Sequence, residues 1–406
     1  MNETSAINET GKLALVVGAG IGGLTAALAL ARKGWMVHVL EAAPSLKEVG
    51  AGLQLSANAM KVLDALGVAH AIQAGGFEPQ ALELRLGRSG KSVFRIPLGE
   101  KAESRWGAPY LHIHRADLVE ALADAVRDTG NAKISFGARV ENYSENSDGP
   151  VLQLASGEPL TAPLIVGADG IHSVIRTRML GADTPRFTGN VAWRMTVPME
   201  RLTRQPPPTA CVWAGKGRHA VTYRLRGGEL ANFVGVVERQ DWTNESWTDQ
   251  GTRTEALADF AGWDLCLTEL INKADEHFRW ALFDRAPLER WVDGSVALLG
   301  DACHPMLPFQ AQGAAMAIED AWVLADSLSD ATDIPSGLAV YQSRRLLRTA
   351  RMQAASRSNM GVFHRRSTLS RLGTYGPMWM AGQVAPAFVR SRLDWIYGYD
   401  VTSKDQ

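Results

Sequence analysis

The stretch Val296-Ala-Leu-Leu-Gly-Asp-Ala-Cys-His-Pro-Met-Leu-Pro-Phe-Gln-Ala-Gln-Gly-Ala-Ala-Met-Ala-Ile-Glu-Asp-Ala321 decides the fold of this chain. Its apolar start, Val296 to Leu299, is typical of a buried parallel strand. Gly300 permits a turn, and Asp301 then presents a carboxylate at the carboxyl end of the strand, where open α/β sheets bind ligands. A helix of small residues is predicted from Gly313, and its amino end carries free N–H groups and partial positive charge.

These parts suit a bound flavin. The carboxylate of Asp301 would hold the hydroxyls of a ribityl chain, while Pro305 and Pro308 stiffen the loop that follows. The helix end at Gly313 would face the N1–C2 carbonyl edge of the ring, where reduced flavin carries negative charge. Alone, the stretch is also compatible with an ordinary strand–loop–helix unit of an α/β protein. Two further motifs argue against that alternative.

The first of these motifs is a dinucleotide fingerprint near the amino terminus. It reads Gly18-Ala-Gly20-Ile-Gly22-Gly23 and lies between an apolar strand, Leu13 to Val17, and a helix, Leu24 to Lys33. Gly18 permits the tight turn, Gly20 lets the backbone approach a pyrophosphate, and Gly23 lets helix and strand pack closely. Glu41, at the end of the next predicted strand, is placed to accept hydrogen bonds from an adenosine ribose. The motif does not separate FAD from NAD.

The second motif repeats the design of the opening stretch. In Leu164-Ile-Val-Gly-Ala-Asp169-Gly170, a buried strand again ends in a glycine and an aspartate, and a helix follows. A glycine-bearing loop and helix, Gly50 to Gly67, stand where an NAD dehydrogenase would place its third strand, which favours a flavin protein. Arg115 begins another predicted helix and could reach a phosphate or the flavin, or could pair with a neighbouring acid on the surface.

Composition limits the class of protein. With 406 residues the chain exceeds one typical core, so two or more folding units are expected. A net charge of −1 gives no footprint for nucleic acid or an anionic membrane. Three scattered cysteines without metal-ligand spacing indicate reduced thiols and no metal site. Because no signal core or spanning stretch is present either, we expect a cytoplasmic protein without a membrane span.

Between about Arg186 and Leu282 the pattern changes to alternating segments that predict antiparallel strands of a second domain. In His219-Ala-Val221-Thr-Tyr223 the odd positions share one face, so they could line a pocket for a flat ring. His219 could equally be a hydrogen-bonded histidine of the sheet with no role in binding. The helical, basic segment that follows Asp320 is most simply a solvated surface.

Three motifs in this order resemble the single-component, FAD-dependent aromatic hydroxylases, the group that includes salicylate, 4-hydroxybenzoate and 3-hydroxybenzoate hydroxylases. They are Gly18-Ala-Gly20-Ile-Gly22-Gly23, Gly167-Ala-Asp169-Gly170 and Gly300-Asp301-Ala-Cys-His304-Pro305. The helix start Gln312 to Ala321 and the tail Leu393 to Asp400 look like the salicylate, 3-hydroxybenzoate and 6-hydroxynicotinate branch. The resemblance implies an α/β fold like that of para-hydroxybenzoate hydroxylase. A Rossmann-like FAD-binding domain would comprise residues 1–76, 104–180 and 287–345, a mainly antiparallel substrate domain 77–103 and 181–286, and a C-terminal helical segment 346–406.

The resemblance also implies roles for individual residues. Contacts with FAD are expected for Gly18, Gly20, Gly22, Gly23, Glu41, Arg115, Val140, Asp169, Asp301, Pro308, Gly313 and Ala314. Within this set Val140 would lie beside the adenine, Asp169 would also serve the nicotinamide, and Pro308 and Gly313 would flank the isoalloxazine ring. His219 and Tyr223 match a His and a Tyr, four residues apart, that line the substrate pocket of 3-hydroxybenzoate and 6-hydroxynicotinate hydroxylases.

The implied reaction uses NADH or NADPH to reduce FAD, which then forms a C4a-hydroperoxide with O2 and hydroxylates a small phenolic or N-heteroaromatic acid. His219 is the expected base for the substrate hydroxyl because imidazole titrates near neutral pH, and Tyr223 would orient or relay the proton. His304, in a turn before proline, is expected to be structural. Departures from the family pattern at Asn190, Arg224 and Phe309-Gln310 leave the ring substrate open.

Other readings stay open at this point. A flavin dehydrogenase, oxidase or halogenase could use the same scaffold, and a redox sensor could bind a dinucleotide without catalysis. The sequence does not decide the ring position, any coupled loss of a carboxylate, or the preference between NADH and NADPH. It also leaves open whether the chain is a monomer or a homodimer.

Overall fold

The structure, a computed structural model, describes residues 12–46, 52–147, 149–239, 250–365 and 367–403. Outside the described residues lie the polar amino-terminal segment Met1 to Gly11 and Gly50 of the predicted glycine loop. Residues 1 and 406, the outer limits of the predicted domains, lie outside them as well.

The strands of the described residues are β1 (Leu13–Val17), β2 (Met36–Leu40), β3 (Gly52–Leu55), β4 (Ala81–Leu86), β5 (Ser92–Pro97), β6 (Leu111–His114), β7 (Ala132–Ser135), β8 (Val140–Asn146), β9 (Gly149–Leu154), β10 (Pro159–Thr161), β11 (Leu164–Gly167), β12 (Arg186–Pro198), β13 (Ala210–Gly215), β14 (Arg218–Leu225), β15 (Leu230–Glu238), β16 (Phe278–Asp284), β17 (Val292–Asp293) and β18 (Val296–Leu298). The helices are α1 (Ile21–Arg32), α2 (Ala57–Ala65), α3 (Ala69–Gly75), α4 (Glu100–Trp106), α5 (Arg115–Asp128), α6 (Val174–Leu180), α7 (Arg253–Asp259), α8 (Leu265–Lys273), α9 (Gly313–Ser329), α10 (Ile334–Phe363), α11 (Thr368–Val384), α12 (Pro386–Ser391) and α13 (Asp394–Tyr397).

The first layer is a six-stranded sheet in the order β17-β18-β11-β1-β2-β7. All neighbours pair in parallel except β17 and β18. The strands predicted at Leu13, Leu164 and Val296 are thereby confirmed, and their apolar runs are buried because helices cover the sheet.

The carboxyl ends of four neighbouring strands bring the sequence motifs to one edge of this sheet. Asp301 follows β18, Asp169 follows β11, Gly18 follows β1 and Glu41 follows β2. Because adjacent strands lie about 4.8 Å apart, the edge from β18 to β2 spans roughly 14 Å. An elongated ligand could therefore contact all four motifs.

The second layer is a seven-stranded sheet in the order β16-β12-β15-β14-β13-β4-β5. Its strands are antiparallel, as expected, except that β4 and β13 pair in parallel. This parallel pair joins the hairpin of residues 81–97 to the later strands, so one sheet contains residues from two distant parts of the chain. Strand membership follows the predicted FAD and substrate segments, whose limits remain a prediction.

One face of the second sheet packs on α7 and α8 around an aromatic core that contains Trp193, Trp213, Phe260 and Trp263. The opposite face is turned toward the first sheet. Helix α10 is 30 residues long, runs beside α9, and contacts the loop after β18. Among the described residues, no helix is both long and apolar enough to cross a bilayer.

Helices α9 and α10 meet at a buried charge cluster, defined by Glu319, Asp320, Arg345 and His304. The prediction of a solvated basic surface after Asp320 is wrong at Arg345, which is fully buried and donates to Glu319 at 2.6 Å and to Asp320 at 2.7 Å. His304 Nε2 contacts the other oxygen of Asp320. Burial opposes ionisation of Asp320, but His304 and Arg345 hold the pKa of its carboxyl below the usual value. Glu319, Asp320 and Arg345 are ionised, and each depends on its buried partners being present.

Replacing Arg345 with methionine should lower the free energy of unfolding by about 3 kcal/mol or more, because two buried carboxylates lose their shared cation. Arg344→Met is the matched control, since Arg344 pairs with Asp326 at 2.8 Å on a partly exposed surface. That change should cost less than about 1 kcal/mol. Urea unfolding of both variants measures the difference, and equal losses would contradict the assigned role of the cluster.

Candidate active site

A cavity of about 570 Å³ lies between the two sheets, a volume in the range of small-molecule sites. The residues predicted for the site that line it are Gly20, Gly22, Arg115, His219, Tyr223, Asp301, Pro308, Gly313 and Ala314. The predicted residues that do not line it are Gly18, Gly23, Glu41, Val140 and Asp169. All but Val140 follow strands of the first sheet at the same edge, whereas Val140 begins β8 of a separate three-stranded sheet.

The glycine fingerprint has the conformation that the motif predicts. Gly18 has φ +100°, and a Cβ there would lie 2.5 Å from the carbonyl oxygen of Ala168. A Cβ at Gly23 would overlap the carbonyl oxygen of Gly18, and one at Gly22 would lie 2.7 Å from Leu299. A Cβ at Gly20, by contrast, meets no atom within 4 Å, because this glycine faces the cavity. Three glycines are thus required by packing, and the fourth keeps space open for a ligand.

Glu41 fixes this loop from the neighbouring strand. Its Oε2 accepts a hydrogen bond from the Ala19 N–H at 2.7 Å, and its Oε1 accepts one from the Ala43 N–H at 2.8 Å. The predicted contact with a ribose remains a prediction, but the carboxylate has an additional structural role that the motif alone did not reveal. Val140 is buried at the start of β8.

Asp169 caps helix α6 and retains one unused oxygen. Its Oδ2 accepts hydrogen bonds from the N–H groups of Val174 at 2.8 Å and Ile175 at 3.2 Å. Its Oδ1 is buried and finds no partner among the described residues. Burial raises the pKa of this carboxyl, although the helix N–H groups act in the opposite direction. A buried acceptor without a donor is costly, so a ligand hydroxyl or N–H at this point would relieve the cost.

Asp301 and Pro308 are exposed and line the cavity. Enclosure by the protein raises the pKa of Asp301, so its carboxylate gains from a hydrogen-bond donor. Gly313 and Ala314 open the first turn of α9 onto the same space, and α9 carries no acidic residue in that turn. The helix therefore presents free N–H groups to the cavity.

These features fit FAD. The open space at Gly20, the unpartnered oxygen of Asp169 and the cavity-facing carboxylate of Asp301 follow one another along the sheet edge. Together they would hold a pyrophosphate and a ribityl chain. The amino end of α9 would then stabilise negative charge on the ring.

The second sheet supplies the opposite wall. A row of side chains in register crosses its cavity face, and the row reads Phe94, Leu84, Val212, Val221, Val234 and Arg194. Every member lines the cavity. The guanidinium of Arg194 lies 4.8 Å from the ring centre of Trp280. The wall is thus an apolar surface for a flat ring with a cation at one end.

His219 lies on the same face, two residues before Val221. It is buried, its ring lies 5.4 Å from that of Phe309 and 5.1 Å from that of Phe363, and its Nδ1 is 2.7 Å from Nε2 of His364. Burial, with the charge of His364, lowers the pKa of His219 well below its ordinary value. The expectation that it titrates near neutral pH is therefore wrong. Burial thus favours the neutral imidazole of His219, which keeps one N–H and can accept at its other ring nitrogen.

Tyr223 lines the cavity from the other side of Val221. Its hydroxyl donates to the Gly52 carbonyl oxygen at 2.7 Å, and burial raises its pKa to about 12. Four residues of strand separate it from His219 by roughly 13 Å, too far for direct proton exchange. A relay through Tyr223 is not supported, whereas its role in orienting a ligand remains a prediction.

Three residues escaped the sequence analysis. Arg194 alternates with the buried Trp193, so strand periodicity could have placed it on the cavity face. No sequence pattern predicted a role for His364 or Glu238. His364 lies 145 positions from His219 and 126 positions from Glu238 in the sequence. His304 behaves as expected, since its contact with Asp320 belongs to the packing of α9.

Comparison with known proteins agrees with this geometry. A 3-hydroxybenzoate 6-hydroxylase of Aquipseudomonas alcaligenes is 37% identical over 96% of this chain and 98% of that relative. A 6-hydroxynicotinate 3-monooxygenase of Bordetella bronchiseptica is 35% identical over 95% and 94%. The crystal structure of Klebsiella pneumoniae HpxO complexed with FAD and uric acid superimposes with a TM-score of 0.84, at 28% identity over 96% of this chain and 98% of that one.

A family model described as an FAD-binding domain matches residues 13–356, and the chain belongs to that family. The class inferred from the three motifs, an FAD-dependent aromatic monooxygenase that uses NAD(P)H, is thereby confirmed.

Gly20→Ala should fold normally, because its Cβ would touch no protein atom, yet it should weaken FAD binding at least tenfold by filling ligand space. Gly75→Ala in α3 is the matched control, since a Cβ there also meets nothing within 4 Å, but far from the cavity lining. Flavin absorbance per chain after gel filtration measures retention. Full retention of FAD by the Gly20 variant would contradict the placement of the cofactor.

Proposed function

We propose that this enzyme hydroxylates a small aromatic acid that carries a ring hydroxyl or its N-heteroaromatic equivalent, with 3-hydroxybenzoate as the leading candidate. The observation that carries the proposal is the composition of the second wall, where an apolar row ends in Arg194 and lies beside His219. A carboxylate, a flat ring and a ring hydroxyl would each meet a complementary group. The names of the relatives support the same substrate class.

When bound, FAD supplies the chemistry that reduces and activates O2 at the expense of NADH or NADPH. The protein supplies binding, orientation and exclusion of water. Phe94, Leu84 and Val212 would hold the ring on the sheet face, and Pro308 would close the cavity on the flavin side. A dry, enclosed cavity protects a reactive oxygen species from loss to water.

Proton removal makes the ring more reactive toward an electrophilic oxygen. Nε2 of His219 would accept the proton of the substrate hydroxyl, since Nδ1 is engaged with His364. Neutral imidazole is the form required, and burial keeps His219 in that form. Glu41 would hold the adenosine ribose, Asp169 would hold the middle of the cofactor, and neither would take part in the proton transfer.

We also propose a compartment and an assembly for this enzyme. The described cysteines Cys211, Cys266 and Cys303 are buried and free, which supports the cytoplasm as the compartment of the enzyme. A monomer or a homodimer is the expected assembly, with O2 and a small aromatic acid as the partners of the site.

The direct test is a screen of phenolic and pyridine acids for stimulation of NADH and NADPH oxidation by the purified yellow protein. 3-Hydroxybenzoate should stimulate oxidation at least tenfold, with one O2 consumed and one oxygen atom gained by the product per NAD(P)H. Oxygen uptake and product mass are the measurements. Oxidation of NAD(P)H without a heavier product for any acid would favour an oxidase, and a colourless, inactive protein would favour a sensor.

Arg194→Gln should raise KM for 3-hydroxybenzoate at least tenfold, because a charge-assisted hydrogen bond of about 2 kcal/mol is lost. The KM for 3-hydroxybenzamide, which carries no charge, should change less than about twofold. Arg224→Gln is the control, because Arg224 lies on the opposite face of β14 and donates to the Pro206 carbonyl oxygen. Equal effects of Arg194→Gln on the acid and the amide would show that Arg194 does not bind the carboxylate.

A further inference from the structure

A chain of three titratable side chains leads from the cavity to the surface of the protein. His219 Nδ1 lies 2.7 Å from His364 Nε2, and His364 Nδ1 lies 3.2 Å from Oε1 of Glu238. His219 and His364 are buried, whereas the Glu238 side chain is 29% exposed. The chain crosses the wall at the end of α10, where Phe363 packs on His219 of β14 and near Val236 of β15.

Aromatic rings pack around the two histidines of this chain. Phe309 and Phe363 lie against His219, and Phe309 also lies 6.4 Å from His364. His219 thus lies among aromatic rings, and the contacts form one line from its Nδ1 through both ring nitrogens of His364 to Glu238. A neutral imidazole carries one proton on one nitrogen, so a line of this kind fixes which nitrogen donates at each contact.

His219 needs such a chain. A buried imidazole that accepts the proton of a substrate hydroxyl becomes a buried cation, and its low dielectric surroundings oppose that charge. The proton must therefore leave His219 for the reaction to start from a stable phenolate. Tyr223 cannot accept it, because its hydroxyl donates to the Gly52 carbonyl oxygen.

We propose that His364 and Glu238 carry the proton of the substrate hydroxyl from His219 to solvent. In the starting state the Nδ1–H of His219 donates to Nε2 of His364, and the Nδ1–H of His364 donates to the Glu238 carboxylate. Nε2 of His219 accepts the substrate proton, and the Nδ1 proton of His219 passes to Nε2 of His364. The Nδ1 proton of His364 then passes to Glu238. Phenol, two neutral imidazoles and a carboxylate become phenolate, two neutral imidazoles and a carboxylic acid, which releases its proton to water. No step creates a buried cation.

Three arginines neighbour members of the chain in the sequence. Arg218 adjoins His219 in β14 and contacts the Asp259 carbonyl oxygen, and Arg239 follows Glu238 and pairs with the Asp259 carboxylate at 3.2 Å. Arg365 follows His364 on the other side. Passage of a proton in the reverse direction, from Glu238 to the product oxygen, restores the starting tautomer of each imidazole.

The inference rests on the proposed function, since it assumes that a phenolic acid is deprotonated at His219. The experiment mixes the oxidised holoenzyme with 3-hydroxybenzoate in weak buffer that contains a pH indicator. Stopped-flow absorbance follows phenolate formation and the release of one proton per site. Benzoate, which has no ring hydroxyl, serves as the ligand without a transferable proton, and its Kd reports whether the cavity is intact.

His364→Gln and Glu238→Gln should slow proton release at least tenfold and leave the Kd for benzoate unchanged. For Glu238→Gln, added imidazole should restore the rate of proton release, because the relay is interrupted at its partly exposed end. That rate should also depend on pH and on buffer concentration. A purely structural role would not respond to buffer. His219→Ala should abolish phenolate formation. The control Glu229→Gln, at an exposed residue immediately before β15, should release the proton at the wild-type rate.

The outcomes distinguish failure of the phenolic substrate from failure of the proton relay. Wild-type enzyme that binds 3-hydroxybenzoate without releasing a proton, or does not bind it, would overturn the assignment of a phenolic substrate, and the relay with it. Wild-type release that persists at the same rate in both His364→Gln and Glu238→Gln would overturn the relay alone. If His364→Gln loses benzoate binding through misfolding, Glu238→Gln still decides, because that change preserves shape at a partly exposed position.

Discussion

The buried charge cluster between α9 and α10 is the constraint on which the rest of the structure depends. Glu319 and Asp320 are adjacent, so they leave α9 in different directions, yet both are fully buried. Arg345 contacts both, and Glu319 also receives hydrogen bonds from Arg348 and Asn58 at 2.7 Å. Because buried charges tolerate neither missing partners nor displacement, the cluster fixes three helices relative to one another.

That fixation determines both halves of the site. Asn58 and Gln312 hydrogen-bond across the amino end of α9, which places Gly313 beside the cavity. Along α10, the 19 residues from Arg345 to His364 correspond to about 28 Å of helix, so the cluster also sets where His364 reaches the second sheet. The same helix therefore connects the flavin side of the cavity with the proposed proton exit.

The second sheet contributes by strand alternation. Trp193, Trp213 and Phe233 point into the aromatic core under α7 and α8, while Arg194, Val212 and Val234 point into the cavity. One sequence pattern thus builds a rigid support and a ligand surface from the same strands. The support matters because aromatic substrates are oriented by contact area and few polar groups, so the wall must not move.

The sequence by itself determined the first sheet, the cofactor class and the glycine roles, because these depend on local chemistry. An apolar run of four or five residues, a glycine that needs φ +100° and an acid at a strand end are readable without knowledge of distant contacts. It also placed His219 and Tyr223 on one face, since strand periodicity is a local property.

Only the tertiary structure decided the pKa of His219 and the partner of its ring nitrogen. Its pKa depends on burial by Phe309 and Phe363. Its partner His364 comes from the end of helix α10, far away in the sequence. The parallel pairing of β4 with β13 and the engagement of Tyr223 with Gly52 arise in the same way. A side chain's residue type sets the proton it can carry, whereas its acidity and the path of that proton are set by neighbours brought together only by folding.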